Sequence, residues 1–256
     1  CEYVLHTASP VIPGDVDEDI LVKPAVEGMT RCLNAAIKNG VKKFVQTSSY
    51  AAIYGNDKSE HDDDDWTDLS SENLLPYEIS KTKSEKKMWE MVEKLDMSAC
   101  AINPVLVLGP SLSGVLSMSN RLTIKKIFNL PFVPNMNISV VGVYDVADAH
   151  VRAMESSKSN GKRFLLSEKT IRLVELTKIL KEAGFDKVPT RVIPNFILKL
   201  IAIFVPSLRS IAKRLGTFEK LHTRNANNIL NWFPKSADTE IINSAKQLYE
   251  VGILKK

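Results

Sequence analysis

Cysteine is scarce: Cys1, Cys32 and Cys100 are the only three in 256 residues. That is too few, and of the wrong parity, for a disulfide framework, and no two have the spacing of a metal-ligand pair. A reducing compartment, the cytoplasm, suits such a chain. Charge of one sign is also lacking. The 34 basic residues meet 30 acidic ones, a net charge of +4, too mild and too dispersed to imply a nucleic-acid partner. No basic region followed by an apolar stretch and a small-residue cleavage site is visible near Cys1. The most apolar stretch, Val192 to Val205, contains Pro194, Asn195 and Lys199 and breaks again at Pro206. It falls short of the roughly 20 residues needed to span a bilayer. A buried or partly exposed amphipathic helix is the plainer reading. Arg209, Lys213 and Arg214 after it leave contact with a membrane surface as the alternative. Among 11 glycines, none stands in a G-x-G-x-x-G or G-x-x-G-x-x-G pattern.

What is present is ordinary for a folded protein. Apolar residues make up 44% and charged residues 25%, which excludes disorder, collagen and coiled coil. The length allows one large domain or two coupled ones. Strand-like and helix-like segments alternate at first: Tyr3–Ala8, then Val22–Asn39 with apolar residues at helical spacing, stopped by Gly40. Lys43–Thr47 is a second strand, ending in Ser48-Ser49, and Tyr77–Leu95 a second helix. Ser98–Asn103 is a third strand, closed by Pro104. Strands separated by helices imply right-handed crossovers and a parallel sheet. The polar stretch His61-Asp62-Asp63-Asp64-Asp65-Trp66 is expected to be a solvated loop, not a metal site. After Pro110 further prolines break the chain into short elements. Val143–Ser156, Leu173–Gly184 and Ala237–Val251 are expected helices, and Phe164–Ser167 a strand. The expected layout is a dinucleotide-binding domain over residues 1–110, with 139–160 returning to it. Residues 111–256 would form mainly a smaller substrate domain at the sheet's carboxyl edge, where ligands bind in open α/β sheets.

The residues with chemical content are Tyr77 and Lys81, in Pro76-Tyr77-Glu78-Ile79-Ser80-Lys81. Spacing i, i+4 puts phenol and ammonium on one helical face. A nearby cation lowers a phenol's pKa from about 10, so that it can exchange a proton with an alcohol or carbonyl near neutral pH. Twenty-eight residues earlier a strand ends in Thr47-Ser48-Ser49, which places serine hydroxyls at the ligand edge.

With these residues in this order, the sequence resembles the extended short-chain dehydrogenase/reductases, in their dihydroflavonol reductase-like and aldehyde (methylglyoxal) reductase-like branch. The matching stretches are Val4–Pro10, Val22–Gly28, Phe44–Ala52, Tyr77–Lys81, Asn103–Pro110 and Val143–His150. The resemblance implies a Rossmann-like, doubly wound parallel sheet and an NAD(P)-dependent oxidoreductase, with NADPH favoured over NADH. It makes Ser49 the residue orienting the carbonyl, Tyr77 the general acid, and Lys81 the ribose-binding cation. Ala8, Thr47, Ser48, Pro104, Val105 and Val107, with Tyr77 and Lys81, would line the cofactor. The implied substrate is a small carbonyl or alcohol; no metal is implied, and the oligomeric state is left open. His150 is expected to be a packed histidine.

The family's Gly-rich turn cradles pyrophosphate at a helix N-terminus. Without it, Tyr3–Ala8 corresponds to the family's fourth strand, and the expectation is an N-terminally truncated sheet lacking three β-α units, about 75 residues. Two alternatives stay open. Sugar-nucleotide epimerases and hydroxysteroid dehydrogenase/isomerases share Ser, Tyr and Lys on this fold. A non-catalytic binding or scaffold protein would explain the missing turn.

Overall fold

The computed structural model describes residues 1–12, 17–54, 58–72, 74–93, 95, 97–114, 117–205, 208, 211–212 and 214–254. The strands along the chain are β1 (Tyr3–His6), β2 (Lys43–Thr47), β3 (Glu60–His61), β4 (Ser98–Pro104), β5 (Leu106–Leu108), β6 (Val133–Pro134), β7 (Asn137–Gly142), β8 (Arg163–Leu166), β9 (Lys169–Arg172), β10 (Val192–Ile193) and β11 (Lys220–Leu221). The longer helices are α1 (Glu18–Lys38), α2 (Pro76–Val92), α3 (Val143–Glu155), α4 (Leu173–Glu182), α5 (Asn195–Phe204), α6 (Arg224–Leu230) and α7 (Ala237–Glu250). They form two compact units: Cys1–Val105 with Asp145–Ser167 and Lys220–Phe233, and Leu106–Tyr144 with Glu168–Glu219 and Pro234–Lys256.

The first unit is a four-stranded sheet in the order β1-β2-β4-β8. All three pairings are parallel, with His6 opposite Gln46, Thr47 opposite Ile102, and Pro104 opposite Leu166. The carboxyl ends of the strands therefore share one edge. Residues on β2 alternate between faces, as a pleated strand requires. Phe44 packs with Met29 and Leu33 of α1 and Met88 of α2, and Gln46 donates to Ser84 of α2. Lys43 and Thr47 instead bond Ser159 and His150, in and just beyond α3. Helices thus cover both faces, and the α/β doubly wound class read from the sequence holds.

Local signals explain most boundaries. Asp17 caps α1 by accepting from Asp19 N–H at 3.0 Å. The helix ends at Gly40, whose φ of +65° favours glycine after a helix C-cap. α1 begins four residues earlier than its apolar spacing suggests, with Pro24 inside it. A proline there forfeits one ladder hydrogen bond, which burial of Leu21, Ala25 and Met29 offsets.

The second unit packs β5, β7 and β9 as one sheet, with β7–β9 antiparallel. Its core joins Leu108, Ile124, Val133 and Val140 to Leu176 and Leu180 of α4 and Ile241, Ala245 and Leu248 of α7. Gly109 permits the approach of α7. Its φ is +146°, and a Cβ there would lie 2.3 Å from Val143 Cγ1 and 2.8 Å from Glu240 Oε2. Its N–H donates to Ser244 Oγ at 2.8 Å.

Phe44 is fully buried between sheet and helices. Phe44→Ala should lower stability by about 3–5 kcal/mol, read as a lower urea midpoint with an unchanged slope.

Candidate active site

Three candidate residues converge at the carboxyl edge of the first unit's sheet. Ser49 follows β2 and starts a short 3₁₀ turn, Tyr50–Ala52, by accepting from Ala51 N–H at 3.1 Å. Tyr77 sits in the first turn of α2, which Pro76 opens at a position where no backbone N–H is needed. Lys81 follows one turn later. The Ser49 and Tyr77 side chains share a hydrogen bond. The Lys81 ammonium lies over the Tyr77 ring, 5.7 Å from its centroid.

Electrostatics here differ from the sequence expectation. Burial raises the Tyr77 phenol above its ordinary value, opposed by the Ser49 hydrogen bond. The Lys81 charge is not among the influences that set the phenol, so the expected lowering does not appear. Burial instead depresses Lys81 itself to about 8, with the Glu85 carboxylate opposing it. Only 5% of Lys81 is exposed, yet no described residue accepts a hydrogen bond from its ammonium. Beside it, His6 stacks on Phe44 with ring centroids 5.7 Å apart. Burial and the Lys81 charge hold that imidazole below its ordinary pKa.

The other expected cofactor-lining residues have mixed surroundings. Ser48 is buried and Thr47 half-buried. His150 Nδ1 lies 2.7 Å from the Val146 carbonyl, which makes it the donor; Nε2 then accepts from Thr47 Oγ1, also at 2.7 Å. This histidine is packed and neutral in role, and burial lowers its pKa. Ala8 is exposed after β1. Pro104 ends β4, and Val105, 8% exposed, donates its N–H to the Leu166 carbonyl. Val107 belongs to the second unit, where β5 pairs it with Val141.

Sequence reading passed over the residue that organises this site. Glu85, one turn beyond Lys81 on α2, has no exposed surface. Its carboxylate accepts from Ser48 Oγ at 2.5 Å, Asn103 Nδ2 at 2.7 Å, Arg163 Nε at 2.6 Å and Trp89 Nε1 at 3.2 Å. Asn103 also donates to the Ser49 carbonyl at 3.2 Å. The available signal was a glutamate at i+4 from Lys81, on the face that also carries Tyr77.

The acidic stretch is likewise not a simple solvated loop. Asp63 is 3% exposed and accepts from Leu165 N–H at 2.7 Å and Asn225 N–H at 2.9 Å. Burial raises its pKa to about 6 against those two hydrogen bonds.

The first unit is thus a parallel α/β sheet with Ser49, Tyr77 and Lys81 gathered at its carboxyl edge. Residues 1–166 match the NAD dependent epimerase/dehydratase family, and the chain belongs to it. Cinnamoyl-CoA reductase CAD2 of Medicago truncatula is 34% identical over 191 residues, 71% of this chain and 58% of that protein. An anthocyanidin reductase of Vitis vinifera is 29% identical over 211 residues, 74% and 62% of the two. The chain thus spans about three-fifths of the length of these curated relatives. The crystal structure of yeast methylglyoxal/isovaleraldehyde reductase Gre2 complexed with NADPH is similar at a TM-score of 0.79 and 26% identity, over 99% of this chain and 78% of that one. The resemblance to extended short-chain dehydrogenase/reductases of the reductase branch is borne out by these relatives.

Two outcomes follow from the buried groups. Glu85→Ala leaves Arg163 buried without its charge partner and should lower stability by about 3–5 kcal/mol, measured by urea unfolding. Lys81 has a folded pKa below its unfolded value, so its charge opposes folding below pH about 8, and that penalty fades as pH rises toward the unfolded pKa. Lys81→Met should therefore be stabilised relative to wild type most at about pH 7, with the difference shrinking by about pH 10.

Proposed function

We propose that this protein is an NADPH-dependent reductase of aldehydes or ketones in which Tyr77 is the proton donor. The observation that carries the reading is the Ser49–Tyr77 hydrogen bond beside Lys81, a lysine only 5% exposed whose ammonium has no acceptor among the described residues. Reductase relatives, and a similar structure complexed with NADPH, support the choice of reaction and cofactor.

The residues fit the ribose–nicotinamide end of such a cofactor. Lys81 brings donors that ribose hydroxyls would satisfy. The Ser9 hydroxyl oxygen, just past β1 and shielded from solvent, has no hydrogen-bond partner among the described residues. Ala8, Thr47, Ser48, Pro104 and Val105 complete the proposed lining within the first unit. When bound, the reduced nicotinamide supplies a hydride to the carbonyl carbon. Ser49 then holds the carbonyl oxygen by its hydroxyl. Tyr77 Oη gives that oxygen its proton, so hydride plus proton yields the alcohol. Because the phenol starts above its ordinary pKa, it stays protonated across the neutral range and is poised to act as an acid.

No Gly-rich turn occurs within residues 1–256. Calorimetric titration of this chain with NADPH should therefore show binding weaker than micromolar. Chemistry is tested by following loss of reduced nicotinamide absorbance, at NADPH concentrations high enough to load the protein, with a panel of small and aromatic aldehydes. Tyr77→Phe should cut turnover by about 10²–10⁴-fold with NADPH binding nearly unchanged, since general acid catalysis contributes that much. Lys81→Ala should weaken NADPH binding as well. Wild-type turnover in Tyr77→Phe would overturn the assignment.

A further inference from the structure

The helix α5 is apolar on two sides. Leu198 and Ala202 are its buried residues, 6% and 4% exposed. Phe196, Leu200, Ile203 and Phe204 follow an i, i+4, i+7, i+8 spacing on the opposite side. They are 72%, 59%, 63% and 79% exposed. Soluble proteins seldom leave a contiguous face of this kind uncovered unless something binds it. At 1.5 Å per residue the helix is about 15 Å long, too short to cross a bilayer. Among the described residues no helix is long and apolar enough to do so. Its length and its Phe-ended apolar face suit a helix lying flat at a membrane interface.

Charge selects the occupant. From Lys187 to Phe218 the sequence holds Lys187, Arg191, Lys199, Arg209, Lys213 and Arg214 and no aspartate or glutamate, whereas the rest of the chain carries a small net negative charge. Lys199, on α5 itself, is exposed beside the apolar face, and Arg191 and Lys187 are exposed ahead of it. Arg209 and Lys213 lie outside the described residues and contribute here by sequence alone. A two-fold contact between two copies would set this basic face against itself, because such interfaces pair identical patches. An anionic lipid surface meets both requirements at once.

We propose that α5 docks the protein onto anionic membrane surfaces. Phe196, Leu200, Ile203 and Phe204 enter the headgroup–acyl boundary. Lys199 lays its stem along the apolar face and keeps its ammonium at the phosphates.

The test is co-sedimentation of the full chain with vesicles of phosphatidylcholine alone, and of phosphatidylcholine mixed with phosphatidylserine. Binding is expected to the mixed vesicles only, and to fall as salt screens the charges. The double variant F196S/F204S should lower partitioning about tenfold or more, since binding scales with the apolar area inserted. K199E should lower it about threefold to tenfold. Because Lys199 is exposed, K199E tests the proposal even if the double variant melts early. Three results would overturn it: no vesicle binding, equal binding to neutral vesicles, or wild-type binding by a folded F196S/F204S variant. A lipid-free dimer abolished by F196S/F204S would assign the face to a second copy instead, and an acidic protein ligand bound without vesicle binding would assign it to a protein partner.

Discussion

The Glu85–Arg163 ion pair holds the candidate site of the first unit together. Neither side chain reaches solvent appreciably, and the guanidinium is already committed elsewhere. It donates to the Asp63 and Ala52 carbonyls and stacks on the Trp66 ring, 3.7 Å from its centroid. The carboxylate in turn ties α2 to the ends of β2 and β4 through Ser48 and Asn103. Two buried charges are worth keeping only when every remaining donor and acceptor is satisfied, and here nearly all of them are spent on fixing one helix against three strand ends. Tyr77 and Lys81 ride on that helix, and Ser49 follows the strand that it grips.

Against that fixed frame, the Lys81 ammonium stands out. The residue as a whole is 5% exposed, yet no described group accepts a hydrogen bond from its ammonium. Desolvation without compensation is what depresses its pKa, and the neighbouring carboxylate only partly offsets this. Burial lowers the pKa of Lys43 in the same unit as well, but its ammonium is hydrogen-bonded. Lys43, also buried, donates to the Ser156 carbonyl and to Ser159 Oγ. The contrast separates a lysine that closes a loop from one whose donors are left for a ligand, and it is the physical basis for reading the site as an enzyme's.

Elsewhere in the first unit, irregular chain is made rigid by the same means. Asp63 joins the loop before α2 to β8 and to the start of α6 through two backbone N–H groups. β3 and β11 pair in parallel across more than 150 residues of sequence, with Lys220 beside Glu60. The segment Lys220–Phe233 is thereby returned to the first unit after a long excursion, and Trp232 is buried there with its indole N–H on the Asp145 carbonyl.

The sequence alone determined the element types and the helix face shared by Tyr77 and Lys81. Periodicity gave the strands Lys43–Thr47 and Ser98–Asn103 and the helices around them to within a few residues, because each is set by contacts between near neighbours. The i, i+4 spacing likewise put Tyr77 and Lys81 on one side of α2, since helical geometry is local. Tertiary structure decided what those residues experience. Whether Asp63 is solvated, whether the Lys81 charge lowers the phenol's pKa, and whether Glu85 meets Arg163 depend on groups dozens of residues apart. So does the side of α5 that stays in water. Burial and pKa are properties of the assembled surroundings, and no pattern within one segment encodes the dielectric supplied by another.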